Sequence, residues 1–146
     1  MVQFHSVAHW LIMKKIILFL MLISKTIFAG EKVYPQIFTA KILSIYDGDT
    51  MTVSIDRLPD VFGMEIPIRI YGIDTPEIRS SKKIEAVIAR DFVESMCPIG
   101  SKTKLSNIRR DKYFRLDADV NCNGKDVATE LLKNNMAKPY FGGTKE

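Results

Sequence analysis

The chain has 146 residues, 47% of them hydrophobic and 26% charged, with a formal net charge of +4. That is the length of one domain with apolar content for a core, and it excludes a low-complexity or charge-swollen disordered chain. The basic balance shrinks on inspection: residues 1–29 hold three of the 21 basic residues and no acid, which leaves 18 bases against 17 acids, a net of +1.

Residues 1–29 read as a secretory signal peptide. Lys14 and Lys15 form a basic start, Ile16 to Ile23 a short apolar stretch, and Ala29 a small residue before a cut. Met13, directly before the two lysines, is a more natural start than Met1. The apolar stretch is short of the roughly 20 residues a spanning helix needs. The expectation is export to the periplasm or medium, with retention as an uncleaved membrane anchor as the alternative. Both histidines, His5 and His9, lie in this segment. Residues 30–146 therefore exclude Ser-His-Asp and Cys-His catalysis and histidine-ligated zinc or iron. Any chemistry there falls to carboxylates, Arg, Lys, Tyr or a hard metal.

The β-branched and aromatic run from Val33 to Tyr46 predicts a first strand, and Asp47-Gly48-Asp49 a tight turn. Met51, Val53 and Ile55 then alternate with Thr50, Thr52 and Ser54, the period of a second strand. Residues 56–63 read as a loop, and 65–73 as a third strand with Ile66, Ile68 and Ile70 on one face. Ser80 or Ser81 can cap a helix running to about Met96, with Ile84, Val87, Ile88, Phe92 and Met96 as its apolar face. Two further strands follow, at 102–108 and 113–120, then an Asn-Gly turn and a short helix from Asp126 to about Asn135. The sum is α+β: a five-stranded OB-type β-barrel, one helix between strands 3 and 4, and a C-terminal helix. Cys97 and Cys122, an even count in an exported chain, are expected to pair, closing a loop of about 25 residues.

Three polar segments stand at strand ends: Asp47 to Thr50 (DGDT), Arg69 to Glu77 (RIYGIDTPE) and Arg110 to Arg115 (RDKYFR). Singly, each has a plain reading as a turn, a helix lead-in or a solvated strand edge. Together, in this order, they resemble the staphylococcal-nuclease-like thermonucleases over roughly Thr39 to Tyr140, which makes 30–146 a thermonuclease-like OB-fold domain. The resemblance implies a Ca²⁺-dependent endonuclease that hydrolyses phosphodiesters of DNA or RNA to 3′-phosphate products. It implies Asp49 and Asp74 as carboxylate ligands of one Ca²⁺, the Thr75 carbonyl as a further ligand, and Asp47 as a supporting acid. It implies Glu77 as general base, Arg69 and Arg115 as the phosphate-gripping guanidiniums, and Lys112 and Tyr113 as lining of the nucleotide pocket. Oxygen ligands without imidazole suit a hard cation, Mg²⁺ or Mn²⁺ as well as Ca²⁺.

Six basic residues against one acid between Lys102 and Arg115 add a local basic strip. Two departures from the founding nuclease are expected to matter. The longer hairpin between Asp49 and Arg69 would change access to the site. The chain stops at Glu146, where a last helix is expected to be missing and the disulfide to compensate. No stable protein partner is implied, a monomer is expected, and a membrane enters only if the leader is retained. The alternative function is a non-catalytic OB-type nucleic-acid-binding module.

Overall fold

The computed structural model describes residues 13–15, 32–34, 36–111 and 115–142. The chain divides into two units, Met1–Glu31 and Lys32–Glu146. Of the first, only residues 13–15 are described, as exposed helical turn, so the signal-peptide expectation lies outside the described residues. Lys112 and Tyr113 also lie outside them.

Alternation of apolar and polar residues builds the second unit. β1 (Phe38–Asp47) and β2 (Thr50–Ile55) form a hairpin, and β3 (Ile66–Ile70) pairs antiparallel with β2. β5 (Lys102–Arg110) pairs with the first residues of β1, and β6 (Leu116–Cys122) pairs antiparallel with β5. A parallel ladder between β3 and β6 closes the ring, with Ile68 opposite Leu116 and Ile70 opposite Ala118. The barrel strands are thus β1, β2, β3, β5 and β6, as expected. Period-two burial is strict in β2, where Met51, Val53 and Ile55 point inward. Ile42, Ile68, Ile70, Leu105 and Val120 complete the middle of the core. Each such side chain contributes about 1.5–3 kcal/mol when fully buried.

Short elements decorate this ring. A helical turn α1 (Asp60–Gly63) sits in the β2–β3 connection, which the sequence reads as plain loop. β4 (Ile73–Asp74) pairs with β8 (Lys138–Pro139), a two-residue ladder the sequence does not announce. β7 (Lys125–Asp126) leads into α3 (Val127–Lys133), where Asp126 caps by accepting from the Thr129 N–H at 2.8 Å.

The main helix, α2 (Lys83–Met96), lies between the third and fourth barrel strands as expected, but two expectations about it fail. Neither serine caps it: Lys82 is the N-cap position, without a side-chain bond. Ser80 instead closes the preceding turn, donating from Oγ to the Glu77 carbonyl at 2.7 Å and accepting from the Lys82 N–H. The predicted apolar face holds only in part: Phe92 and Met96 pack against the core, but the isoleucines do not. Ile84 and Ile88 are exposed, and Ala86, Ala89 and Val93 are buried. The reason is closeness: the helix packs against the turn at Gly48, and only small side chains fit between them.

Cys97 and Cys122 form the expected disulfide, with Cα atoms 5.5 Å apart, joining the end of α2 to the end of β6. Both are buried in the core, so the bridge ties helix to barrel inside the packing rather than at a surface loop. Replacing both by Ala should lower stability by about 3 kcal/mol through loop entropy alone, more if a cavity remains. Urea unfolding of the paired variant measures this; a loss under about 1 kcal/mol would show that the bridge does not constrain the unfolded chain.

Candidate active site

The Asp47-Gly48-Asp49 turn ends the β1–β2 hairpin, with Asp47 opposite Thr50. Gly48 is not there for a left-handed backbone angle; its φ lies outside that region. A Cβ at this position would lie 2.8 Å from Thr75 Cγ2 and 2.9 Å from Ala89 Cβ. Glycine therefore lets the turn touch both the Thr75 segment and α2. That contact carries Asp49 inside, to 2% exposure.

Asp49 is then fully engaged. Its Oδ1 accepts from the Thr50 hydroxyl at 3.0 Å, and its Oδ2 from the Thr75 N–H at 3.2 Å. Arg69 Nη1 lies 3.1 Å from the same Oδ2. Arg69 reaches this point because β2–β3 register sets it opposite Thr50, next to the turn. Its Nη2 donates to Asp74 Oδ1 at 3.0 Å and to the Ile73 carbonyl at 3.1 Å. One planar guanidinium thus bridges Asp49 and Asp74, which are 25 residues apart in sequence, and its fork geometry suits that task.

The electrostatics are unbalanced. Asp47 is also buried, and its Oδ1 lies 3.4 Å from the Asp49 N–H that donates to it. Burial pushes the Asp49 carboxyl up to about 7; Arg69 works against this, and the neighbouring Asp47 charge adds to it. Burial opposes the Arg69 charge, yet Asp49 and Asp74, with Asp117 beyond them, hold the guanidinium above its ordinary pKa. Three acids stand around one cation. Among the described residues no three acidic, histidine or cysteine side chains converge as a ready-made metal cage. What converges is the Asp49–Asp74 pair, on a positive charge, with the unpartnered Thr75 hydroxyl buried beside it. An oxygen-only, charge-deficient set of this kind fits a hard cation.

Glu77 and Arg115 stand outside this buried cluster. Glu77 is exposed on the loop three residues beyond Asp74. The Arg115 side chain is 44% exposed, its Nε donating to Asp111 Oδ2 at 2.8 Å. It precedes Leu116, the partner of Ile68, which brings it to the strand beside Arg69.

The structure adds residues that sequence reasoning missed. Arg69 and Asp117 are opposite each other in the closing ladder, and Asp117 also faces Arg109. The Arg109 guanidinium lies 3.6 Å over the Tyr71 ring and 3.4 Å from Asp119. Phe141 meets Tyr71 edge-on at 5.8 Å, and Tyr140 lies 5.6 Å from the Arg69 guanidinium. These aromatics arrive through the β4–β8 ladder and the Tyr140 N–H to Gly72 carbonyl bond at 2.9 Å. The sequence signal was only a pair of aromatics after Lys138-Pro139.

The long β2–β3 connection does not flank this site. Thr50 pairs with Arg69 at one end of the ladder and Val53 with Ile66 at the other, so residues 56–65 leave from the far end. The expected effect on access is corrected accordingly: β2 itself separates the insertion from Asp49.

A family model described as staphylococcal nuclease homologue matches residues 67–146, more than half of the chain. The chain belongs to the staphylococcal nuclease homologues. Arg69, Asp74, Thr75, Glu77 and Arg115 all fall inside the matched part, while Asp47 and Asp49 precede it and join it only through the fold. Among curated proteins, the chain is 33% identical over 111 residues to the "uncharacterized lipoprotein MG186" of Mycoplasma genitalium. That match takes in 66% of this chain and 42% of the relative, so the nuclease homologue described here spans less than half of the relative's length.

Proposed function

We propose that the protein is an exported, metal-dependent nuclease that hydrolyses phosphodiester bonds of DNA or RNA, leaving 3′-phosphate ends. The observation that carries the reading is the Arg69 guanidinium held between Asp49 and Asp74 in a barrel of the nuclease family. Asp49 and Asp74, with the Thr75 carbonyl and with Asp47 beside them, would hold Ca²⁺, or Mg²⁺ or Mn²⁺ in its place. Such an ion supplies positive charge to offset the charge that develops on the phosphate.

The remaining work falls to the chain's own side chains. Arg69 has two donor edges, and a phosphate oxygen is an acceptor of the same kind as the carboxylates it now holds. Arg115, directly before the strand beside it, would provide the second fork. Glu77, exposed three residues beyond Asp74, would take the proton of the attacking water. Lys112 and Tyr113, which lie between Asp111 and Arg115 in the sequence, would line the nucleotide pocket. The basic strip around them supports salt-sensitive binding of a polyanion.

The relative's name as a lipoprotein, and the Ile16–Ile23 apolar run, support export with the chain held at a membrane. No helix of the described residues is long and apolar enough to cross one. The second reading, a non-catalytic binding module, is favoured by one observation: Arg69 is already held inward by three acceptors.

Cleavage of single- and double-stranded DNA and of RNA by the purified chain, with Ca²⁺ and with chelator, separates the two. The nuclease reading expects metal-dependent cleavage that Glu77→Gln lowers by on the order of 10²-fold. Binding without cleavage under any divalent ion would establish the module instead.

A further inference from the structure

Among the described residues, the densest group of exposed apolar side chains lies away from the candidate active site. Leu58, Val61, Phe62 and Met64 fall within seven consecutive residues, and Val61 and Phe62 are 80% and 69% exposed. The segment is ordered by its own backbone. The Pro59 carbonyl accepts from the Phe62 and Gly63 N–H groups at 2.8 and 3.0 Å, and the Asp60 carbonyl from Met64 at 3.0 Å. Gly63 is buried, and a Cβ there would lie 2.7 Å from Leu58 Cβ. At its two ends Arg57 and Glu65 take left-handed φ values of 66° and 53°, which residues with a Cβ avoid. Strained, hydrogen-bonded backbone that turns its apolar residues outward implies an apolar surrounding in use.

Two features identify that surrounding as a lipid surface. The first is where the chain arrives. β1 begins beside this loop: Ala40 pairs with Ile55, the Asp56 N–H donates to the Thr39 carbonyl at 2.9 Å, and exposed Ile37 comes just before. Only 14 residues separate Phe38 from the apolar run ending at Ile23, a reach of at most about 50 Å. The second is charge. On the outer face of the adjoining strands Lys41 lies directly opposite Lys102, with Lys104 opposite Thr39, all exposed, and Arg57 is exposed at the foot of the loop. Asp56, Asp60 and Glu65 stand nearby, Asp56 bound to Lys102 at 3.0 Å, so the excess is one positive charge. Like charges directly opposite across a ladder repel, and an anionic headgroup layer offsets that.

We propose that the 57–64 loop is a second membrane contact: Val61 and Phe62 enter the surface of an anionic bilayer while Lys41, Lys102 and Lys104 meet its headgroups. The inference rests on the reading that the N-terminal run keeps the chain at a membrane. Its consequence is orientation. The Asp49–Arg69 end of the β2–β3 ladder, about 17 Å along β2 from the loop, faces away from the lipid and toward nucleic acid in solution.

Both native cysteines are in the disulfide, so one introduced thiol can be labelled in the full chain without reduction. The full chain carrying Phe62→Cys with a polarity-sensitive dye is mixed with vesicles of phosphatidylcholine containing a minority of phosphatidylglycerol. The expected result is blue-shifted emission, quenched by spin-labelled lipid, and lost when Val61→Asp is added. A dye on Ile84→Cys, on the outer face of α2, should stay water-like. Vesicle flotation with a water-like dye at position 62 would overturn the docking and leave the anchoring intact. Failure of the chain to float would overturn both. A shielded dye without lipid, rising with protein concentration, would assign the patch to a second copy and overturn the lipid. Cleavage is not read, so the nuclease reading stands or falls separately.

Discussion

If the proposed nuclease activity holds, Arg69→Ala should lower metal-dependent cleavage by on the order of 10²–10³-fold, the usual cost of removing a preorganised donor from a developing charge. The same change also removes a cation that Asp49 and Asp74 share. Breaking a buried pair from one side costs about 3–5 kcal/mol when the other charge stays behind. Asp49 has an escape, because its carboxyl is already pushed up to about 7 and can take a proton instead. The stability cost should therefore be smaller below pH 7 than above it. Arg69→Lys separates the two effects. It keeps a positive charge, and so most of the thermal stability, but a single ammonium cannot reproduce a planar fork over two acceptors, so cleavage should stay low. Steady-state cleavage beside thermal melts of both variants is the measurement; cleavage by the Ala variant within tenfold of the parent would remove Arg69 from the reaction.

In chelator, stability should fall as pH rises from about 4 to about 7. The carboxyl of Asp49 ionises near 3.8 in a water-exposed chain and near 7 in the fold, so over that window the folded state holds a proton the unfolded state has lost. A raised pKa contributes stability that is complete below the unfolded value and gone above the folded one. The loss should be on the order of 2–4 kcal/mol, at about 1.4 kcal/mol per pKa unit. Asp49→Asn should flatten this slope and be more stable than the parent above pH 7, since it removes a buried charge and retains polar contacts to Thr50 and Thr75. Adding Ca²⁺ should raise the parent's melting temperature most above pH 7, where the carboxylate is ionised, and raise that of Asp49→Asn little. Denaturant titrations across pH, with and without metal, read all three. A parent slope unchanged by Asp49→Asn would place the titrating group elsewhere.

The barrel was legible because its signals are local. Strict alternation in β2, the Asn-Gly turn after β6 and the Asp126 cap each act within a few residues. The helix α2 was legible in extent but not in orientation. Helical spacing favours both an isoleucine face and an alanine face, and the choice was made by a neighbour distant in sequence, the Gly48 turn against Ala89. What Gly48 permits, and where the long β2–β3 connection leaves the barrel, were not legible for the same reason. Gly48 follows from contact rather than from φ, and strand register sends the insertion to the far end of the ladder.

By itself the sequence determined which side chains are available: beyond residue 29 there is no histidine, which leaves carboxylates, guanidiniums, lysines and tyrosines for any chemistry. It also supplied the motif order that identifies the family, and the cysteine pair that closes the core. Only the tertiary structure decided that Asp49 and Asp74 meet on one guanidinium, that Asp49 is buried deeply enough to push its carboxyl up to about 7, and that Tyr140 stands beside Arg69. Residue types fix charge and hydrogen-bonding capacity wherever they lie in the chain. Distance and burial come from register, barrel closure and the close approach a missing Cβ permits, and those are properties of the whole ring of strands.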